Sequence, residues 1–76
     1  MLLLITYDVN TTDAAGRKRL NSIAKTCLKY GQRVQNSVFE CLVDPVQYKN
    51  LQVLLLKKMD KDKDSIRFYN LGEKYH

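Results

Sequence analysis

A short apolar run at the N-terminus constrains the fold more than any other feature of the sequence. Residues 2–5 are four aliphatic side chains in succession, and Thr6, Tyr7 and Asp8 follow them. The run is too short for a membrane span or a signal peptide. It predicts instead a strand that is buried on both faces, which is normally a central strand of a sheet.

The carboxylate at the end of this strand is the first candidate functional group. Alternation along a strand places Asp8 on the same face as Leu2, Leu4 and Thr6. A charge aligned with leucines is costly unless it has a partner. Two interpretations are open at this point: the side chain turns to solvent and forms a local turn, or it binds a metal ion.

Length and cysteine content limit the classes of protein. Seventy-six residues form one small domain, which buries only about 60–65% of its unfolded surface, so a second subunit would add stability. Cys27 and Cys41 lack metal-ligand spacing and the only histidine is His76, so a zinc site or a Cys-His nucleophile has almost no support. Two free thiols without a signal peptide favour the cytoplasm, and no segment predicts membrane association.

The charge of the chain points to its partner. Thirteen Lys and Arg against eight Asp and Glu give a net charge of +5, and therefore about +10 for a twofold dimer. Such an excess favours a polyanion as partner, with nucleic acid first. Arg17, Lys18 and Arg19 form the densest basic cluster, and they lie close in sequence to Asp8.

The segment from Ala14 to Tyr30 has the periodicity of an amphipathic helix. Residues 11–13 supply N-cap candidates, and Gly31 is expected to follow the helix as its C′ residue. One face is predicted to pack and the opposite face to be basic. The apolar stripe consists of Leu20, Ile23, Ala24, Cys27 and Leu28.

Three strands and a second helix account for most of the remaining chain. Residues 32–35 and 38–43 predict two strands joined by a tight turn, and residues 65–71 predict a last strand. Residues 44–47 place Asp, Pro and Gln at the N-cap, N1 and N3 positions of the second helix. Tyr48 begins the stripe of that helix that is expected to face the sheet.

The connection before the last strand is highly charged. Asp60, Asp62 and Asp64 alternate there as at the start of an EF-hand loop, but Ser65 and Leu71 replace the required Gly and Glu. Calcium binding is therefore not expected.

The order β-α-β-β-α-β predicts the ferredoxin-like α+β fold for a single domain over residues 1–76. Two helices would cover one face of a four-stranded antiparallel sheet. Leu2, Leu4, Val38 and Leu42 would lie on the other face, which nothing in the chain is left to cover. A second copy that packs sheet to sheet would cover it, so a homodimer is expected.

Four segments together resemble the small CRISPR-associated adaptation protein, the second Cas family, and the resemblance extends over essentially the whole chain. The longest of them, with its Arg-Val-Gln-x-Ser-Val-Phe-Glu run, is the most specific. The segments are residues 5–9 (ITYDV), 16–20 (GRKRL), 31–41 (GQRVQNSVFEC) and 67–72 (RFYNLG).

This resemblance implies a ferredoxin-like homodimer that bridges two dimers of the CRISPR integrase and holds the incoming duplex DNA. It also implies a metal-dependent nuclease in which Asp8 is the catalytic residue and the ligand of Mg²⁺ or another divalent cation. Family members usually continue past Gly72 into another strand, which pairs with the opposite protomer. The sequence stops at His76, so that strand is expected to be lacking.

The resemblance also assigns roles to other residues. Tyr7 stands beside the metal ligand, and Arg17, Arg19, Arg33 and Phe39 match positions linked to nucleic acid handling or activity. Among them, the arginines are candidates for nucleic acid binding, together with a neighbouring basic residue of the helix, Lys18.

Two functions remain in competition. The favoured one is a DNA-binding adaptor of spacer acquisition whose endonuclease activity is conditional. The alternative is a stand-alone, toxin-like magnesium-dependent endonuclease, because a fold alone does not choose a substrate. A small-molecule regulatory domain has less support, since the chain has no glycine-rich ligand loop. The sequence leaves open whether DNA or RNA is cut and which surface docks the integrase.

Overall fold

Six elements follow one another as β-α-β-β-α-β in the computed structural model, which describes residues 1–73. This order confirms the ferredoxin-like prediction. His76 lies outside the described residues. No helix within residues 1–73 is long and apolar enough to cross a membrane. The elements are β1 (Leu2–Asp8), α1 (Ala14–Leu28), β2 (Gly31–Gln35), β3 (Val38–Leu42), α2 (Pro45–Lys58) and β4 (Ser65–Gly72).

The N-terminal strand is central, as predicted. The sheet has the order β2-β3-β1-β4, and β1 pairs antiparallel with a neighbour on each side, so that Ile5 lies opposite Phe39 of β3 and Phe68 of β4. Leu3, Ile5 and Phe39 are fully buried beneath the helices. The pairing of β1 on both edges satisfies its backbone and explains why an apolar run can occupy it.

Within residues 1–73, no helix covers the opposite side of the sheet. Leu2, Leu4 and Val38 are half-buried there, Leu42 is 53% exposed and Tyr69, which lies opposite Leu4 in the register, is 42% exposed. We call these five residues the open sheet face. Their position confirms the predicted parity of the strands and leaves an apolar surface on this side of the chain.

Helix α1 is shorter than its periodicity indicates. It ends at Leu28 rather than Tyr30, and Lys29 is its C-cap. The buried stripe includes the predicted Leu20, Ile23, Ala24 and Cys27. Leu28 is 48% exposed and does not belong to this stripe, because eight residues of helix rotate it about 80° away from Leu20.

Gly31 opens strand β2 instead of following the helix as a C′ residue. A Cβ at this position would lie 1.8 Å from the carbonyl oxygen of Glu40 and 2.6 Å from the Cα of Cys41. Glycine is therefore required by the close approach of β2 to β3, and not by a left-handed helix end.

Helix α2 begins as predicted. The Asp44 carboxylate accepts a hydrogen bond from the backbone N–H of Gln47 at 2.7 Å, and the Gln47 side chain accepts one from the backbone N–H of Asp44 at 2.9 Å. This capping box satisfies two donors at the helix start. Leu51 and Leu55 are fully buried, and Tyr48 packs beside them against the core.

The close approach at Gly31 yields a test of the sheet. Gly31→Ala puts a methyl group against the backbone of β3, which cannot move without separating the strands. We expect the free energy of unfolding to fall by more than about 2 kcal/mol, measured by urea denaturation. The exposed Gln35→Ala on the same strand is the control and should change it by less than about 0.5 kcal/mol. Equal stability of the two variants would contradict the assignment.

Candidate functional site

The candidate site lies at the carboxyl end of β1. Asp8 is the last residue of the strand, it is exposed, and it lies opposite Ser65, the first residue of β4. Strand alternation directs Asp8 to the side of the open sheet face, whereas the preceding residue, Tyr7, is only 1% exposed and packs in the core under the helices. Tyr7 and Asp8, although adjacent in sequence, thus lie on opposite faces of the sheet.

The buried carboxylate of Asp64 is the partner of Tyr7. The Tyr7 hydroxyl donates a hydrogen bond to Asp64 Oδ2. Arg19 of α1 donates from Nε to Oδ2 at 2.7 Å and from Nη2 to Oδ1 at 3.0 Å. The backbone N–H of Asp60 donates to Oδ2 at 2.9 Å. We call these four residues the Asp64 junction; it ties β1, α1 and the turn before β4 to one side chain that has no exposed surface.

Hydrogen bonding fixes the charge state of this junction. Burial alone would raise the pKa of Asp64, but the hydrogen bonds from Arg19, Tyr7 and the Asp60 amide outweigh it and lower the pKa to about 2. Burial, together with the hydrogen bond to Asp64, raises the pKa of Tyr7 to about 12. The unfolded values are near 3.8 and 10.0. The junction therefore contributes its full stability between about pH 4 and pH 10, and loses it as the pH falls towards 2 or rises towards 12.

The three consecutive cations of α1 have different surroundings. Arg17 is exposed, and its Nη1 donates to the backbone oxygen of Thr11 at 2.9 Å, which holds the β1–α1 loop. Lys18 is exposed. Arg19 has an 18% exposed side chain and two donors committed to Asp64. A phosphate contact is thus sterically open to Arg17 and Lys18, while Arg19 serves the Asp64 junction.

Arg33 and Phe39 form a pair across β2 and β3. They lie opposite each other in the register, and the guanidinium carbon of Arg33 is 5.6 Å from the centroid of the Phe39 ring. Arg33 is exposed and its Nε donates to the backbone oxygen of Asn36 at 2.8 Å, whereas Phe39 is fully buried. The Phe39 ring therefore makes a cation–π contact with the Arg33 guanidinium.

Asp8 fits a metal that needs few protein ligands. Residues 1–73 contain no group of three or more His, Cys, Asp or Glu side chains that could hold an ion. Mg²⁺ keeps several waters and takes one or two carboxylates together with substrate phosphates. A single exposed carboxylate such as Asp8 suits this chemistry, but the described residues do not offer a complete protein cage.

The sequence-predicted site residues thus fall into separate groups. Tyr7 and Arg19 meet at Asp64, Arg33 and Phe39 meet on the outer hairpin, and Asp8 stands at the end of β1. Asp64 itself is the residue that sequence reasoning missed, because it ends an alternating run of Asp and Lys that resembles a solvated connection. Tyr7 could have indicated such a residue, because the hydroxyl of a tyrosine on the core-facing side of a strand requires a hydrogen-bond partner.

Comparison with known proteins identifies the family. The family described as "CRISPR associated protein Cas2" matches residues 1–76. The chain is 61% identical over 75 residues to the "CRISPR-associated endoribonuclease Cas2" of Chlorobaculum tepidum and 56% identical over 75 residues to the "CRISPR-associated endonuclease Cas2" of Halalkalibacterium halodurans. Each alignment covers 99% of this chain and 78% of the relative.

A solved structure agrees with the fold. The crystal structure of Streptococcus pyogenes Cas2 at pH 6.5 superposes with a TM-score of 0.93 and 57% sequence identity, covering 95% of this chain and 87% of that one. The ferredoxin-like prediction and the family resemblance are both confirmed. The order of the elements, the close superposition and a match over the full length together show that this chain belongs to the CRISPR-associated protein Cas2 family.

Proposed function

We propose that this protein is a homodimeric, DNA-binding component of CRISPR adaptation that bridges integrase dimers during spacer acquisition, and that its Asp8 carboxylates support metal-dependent cleavage of phosphodiester bonds. The observation that carries the proposal is the exposed Asp8 at the end of the central strand, beside an uncovered apolar sheet face. The two relatives named above are called an endoribonuclease and an endonuclease, so both RNA and DNA are candidate substrates for cleavage.

Dimer formation through the open sheet face would serve the chemistry as well as stability. One carboxylate per chain is fewer than nuclease sites usually contain, since such enzymes commonly use clustered carboxylates. A twofold axis that runs along β1 through this interface would bring the two copies of Asp8 to the same end of it. The Asp8 carboxylates would hold a divalent cation such as Mg²⁺, which would supply polarisation of the scissile phosphate and a lower pKa for an attacking water. The role of the chain is to hold Asp8 in place.

Exposed cations of α1 would carry the nucleic acid. The chain has a net charge of +5, and Arg17, Lys18 and Lys25 of this helix and its C-cap Lys29 are all exposed. Contacts from such residues to phosphates give affinity without sequence preference and a strong dependence on salt. This is what a protein needs if it holds DNA of any sequence for an integrase.

The dimer is tested by Leu4→Glu, which places a charge in the middle of the open sheet face. We expect a monomer or insoluble protein, because an unpaired carboxylate cannot be buried between two sheets. Val53→Glu on α2, where the native side chain is 47% exposed, is the matched control and should remain dimeric. Light scattering at micromolar concentration measures both, and a monomeric wild-type protein would refute the dimer.

The nucleic acid surface is tested by replacing Arg17 and Lys18 with Ala together. Duplex binding should weaken equally for unrelated sequences, and the slope of log affinity against log salt should fall by about one unit for each phosphate that the variant no longer binds. Arg19 is left intact, because its removal would also break the Asp64 junction.

The matched control replaces Lys49 and Lys57 of α2, both exposed, which removes the same charge from the other helix. If both double variants change the slope equally, the binding surface is not α1.

The nuclease part is tested by Asp8→Asn, which keeps the volume of the side chain and removes its charge. Cleavage by the purified dimer with Mg²⁺ should fall at least about a hundredfold, while folding and duplex binding persist. Asp62→Asn, an exposed carboxylate in the α2–β4 connection, is the control and should cleave normally.

The same variant separates the adaptor from the stand-alone nuclease. In a reconstituted complex with the integrase, Asp8→Asn should still support spacer integration if the protein acts as an adaptor. Loss of integration with intact DNA binding would refute the adaptor, and unchanged cleavage would refute Asp8 as the metal ligand.

A further inference from the structure

The Asp64 junction lies next to the residue pair that contains Asp8. Asp8 and Ser65 form the last pair of the β1–β4 register. Tyr7 precedes Asp8 in β1, and Asp64 precedes Ser65 at the start of β4. The side chains of these two preceding residues are hydrogen bonded to each other, so the junction links the two strands at the pair that presents Asp8.

Strand ends open more readily than strand centres, because they lack pairing on one side. Here the end of the β1–β4 ladder is held by a side chain that receives donors from three directions: Tyr7 on β1, Arg19 on α1 and the amide of Asp60 in the preceding turn. The paired oxygens of a carboxylate and the planar fork of an arginine define a direction as well as a distance. The junction therefore restrains the orientation of the strand end relative to α1.

The restraint from the Asp64 junction matters more for Asp8 than it would for a metal ligand that is surrounded by other ligands. Where several side chains hold an ion, each is oriented partly by the others and by the ion itself. Residues 1–73 contain no group of three or more side chains that could hold an ion, so within one protomer the orientation of Asp8 depends on the backbone that carries it. Functional groups need to be held within about 0.5 Å of their productive position. A frayed strand end would not meet this requirement.

We propose that Asp64 is a positioning residue for the Asp8 carboxylate, and that it acts by clamping Tyr7 of β1 and Arg19 of α1 at the strand end that carries Asp8. This inference rests on the function proposed above. It also assigns Tyr7 and Arg19 to the support of the site from inside the fold. Neither residue needs to touch the nucleic acid for its replacement to reduce activity.

Two variants test the clamp, and both are read without substrate. Asp64→Asn keeps the shape of the side chain but removes the charge that binds Arg19, and Tyr7→Phe removes only the hydroxyl donor. Mn²⁺ is titrated into each purified protein, and its binding is followed by the paramagnetic broadening of amide signals at Asp8 and Ser65. Hydrogen exchange of the same amides, measured without metal, reports the opening of the strand end.

We expect Asp64→Asn to weaken Mn²⁺ binding about tenfold or more, as loss of supporting partners of metal ligands generally does, and to accelerate exchange at Asp8 and Ser65. Tyr7→Phe should shift both quantities in the same direction by less. If the two residues act through one contact, the double variant should be little worse than Asp64→Asn alone.

The control is Val43→Ala. Val43 is buried, and its backbone N–H is bonded to Met1 at the opposite end of β1 from Asp8. It should lower global stability while Mn²⁺ binding and the relative protection of the Asp8–Ser65 end stay as in the wild type. If Val43→Ala and Asp64→Asn weaken Mn²⁺ binding alike at equal stability, Asp64 has only a general structural role and the proposal is overturned.

Asp8→Asn separates this inference from the function on which it rests. If Asp8→Asn abolishes Mn²⁺ binding and both Asp64→Asn and Tyr7→Phe bind as the wild type, the positioning role alone is refuted. If Asp8→Asn itself leaves Mn²⁺ binding unchanged, the proposed metal site fails and the positioning role fails with it. Because Tyr7→Phe is a milder change, the test remains decisive even if Asp64→Asn does not fold.

Discussion

A buried carboxylate is the constraint on which the end of the sheet that carries Asp8 depends. A charge without solvent contact is tolerated only when hydrogen bonds replace its hydration, and Asp64 receives four of them. Because the donors come from a strand, a helix and a turn, those three segments cannot shift independently. These hydrogen bonds outweigh the effect of burial and hold the pKa of Asp64 below its ordinary value. The Asp64 junction therefore holds the end of β1 from the helix-covered side of the sheet, whereas Asp8 lies on the side of the open sheet face.

The two faces of β1 have different roles. Leu3, Ile5 and Tyr7 form the side that packs against the helices, and the alternate residues carry the open sheet face and Asp8. A small domain of this kind gains too little burial from its own core to leave an apolar sheet face in water without cost. A surface that suits association is thus adjacent to the proposed metal ligand, so dimer formation and assembly of the site would depend on the same strand.

Local signals account for most of what could be predicted from the sequence. The apolar run of β1, the tight turn between β2 and β3, and the capping box at Asp44 are properties of neighbouring residues, and all are confirmed. The Asp64 junction spans 57 residues between Tyr7 and Asp64 and is invisible to periodicity. The place of Gly31 also depends on a tertiary contact, the approach of β2 to the backbone at Glu40.

The basic cluster at the start of α1 shows why charge in a sequence does not translate directly into a binding surface. Successive helical residues point about 100° apart, so three adjacent cations cannot share one face. Arg19 is turned inward to Asp64, and its charge is neutralised within the fold. Arg17 and Lys18 keep their charges at the surface. Loss of nucleic acid binding after replacement of Arg17 or Lys18 would report a phosphate contact, whereas loss of activity after replacement of Arg19 would report the geometry of the strand end. Under the proposed function the same segment would therefore contribute to two different steps, which the structure separates.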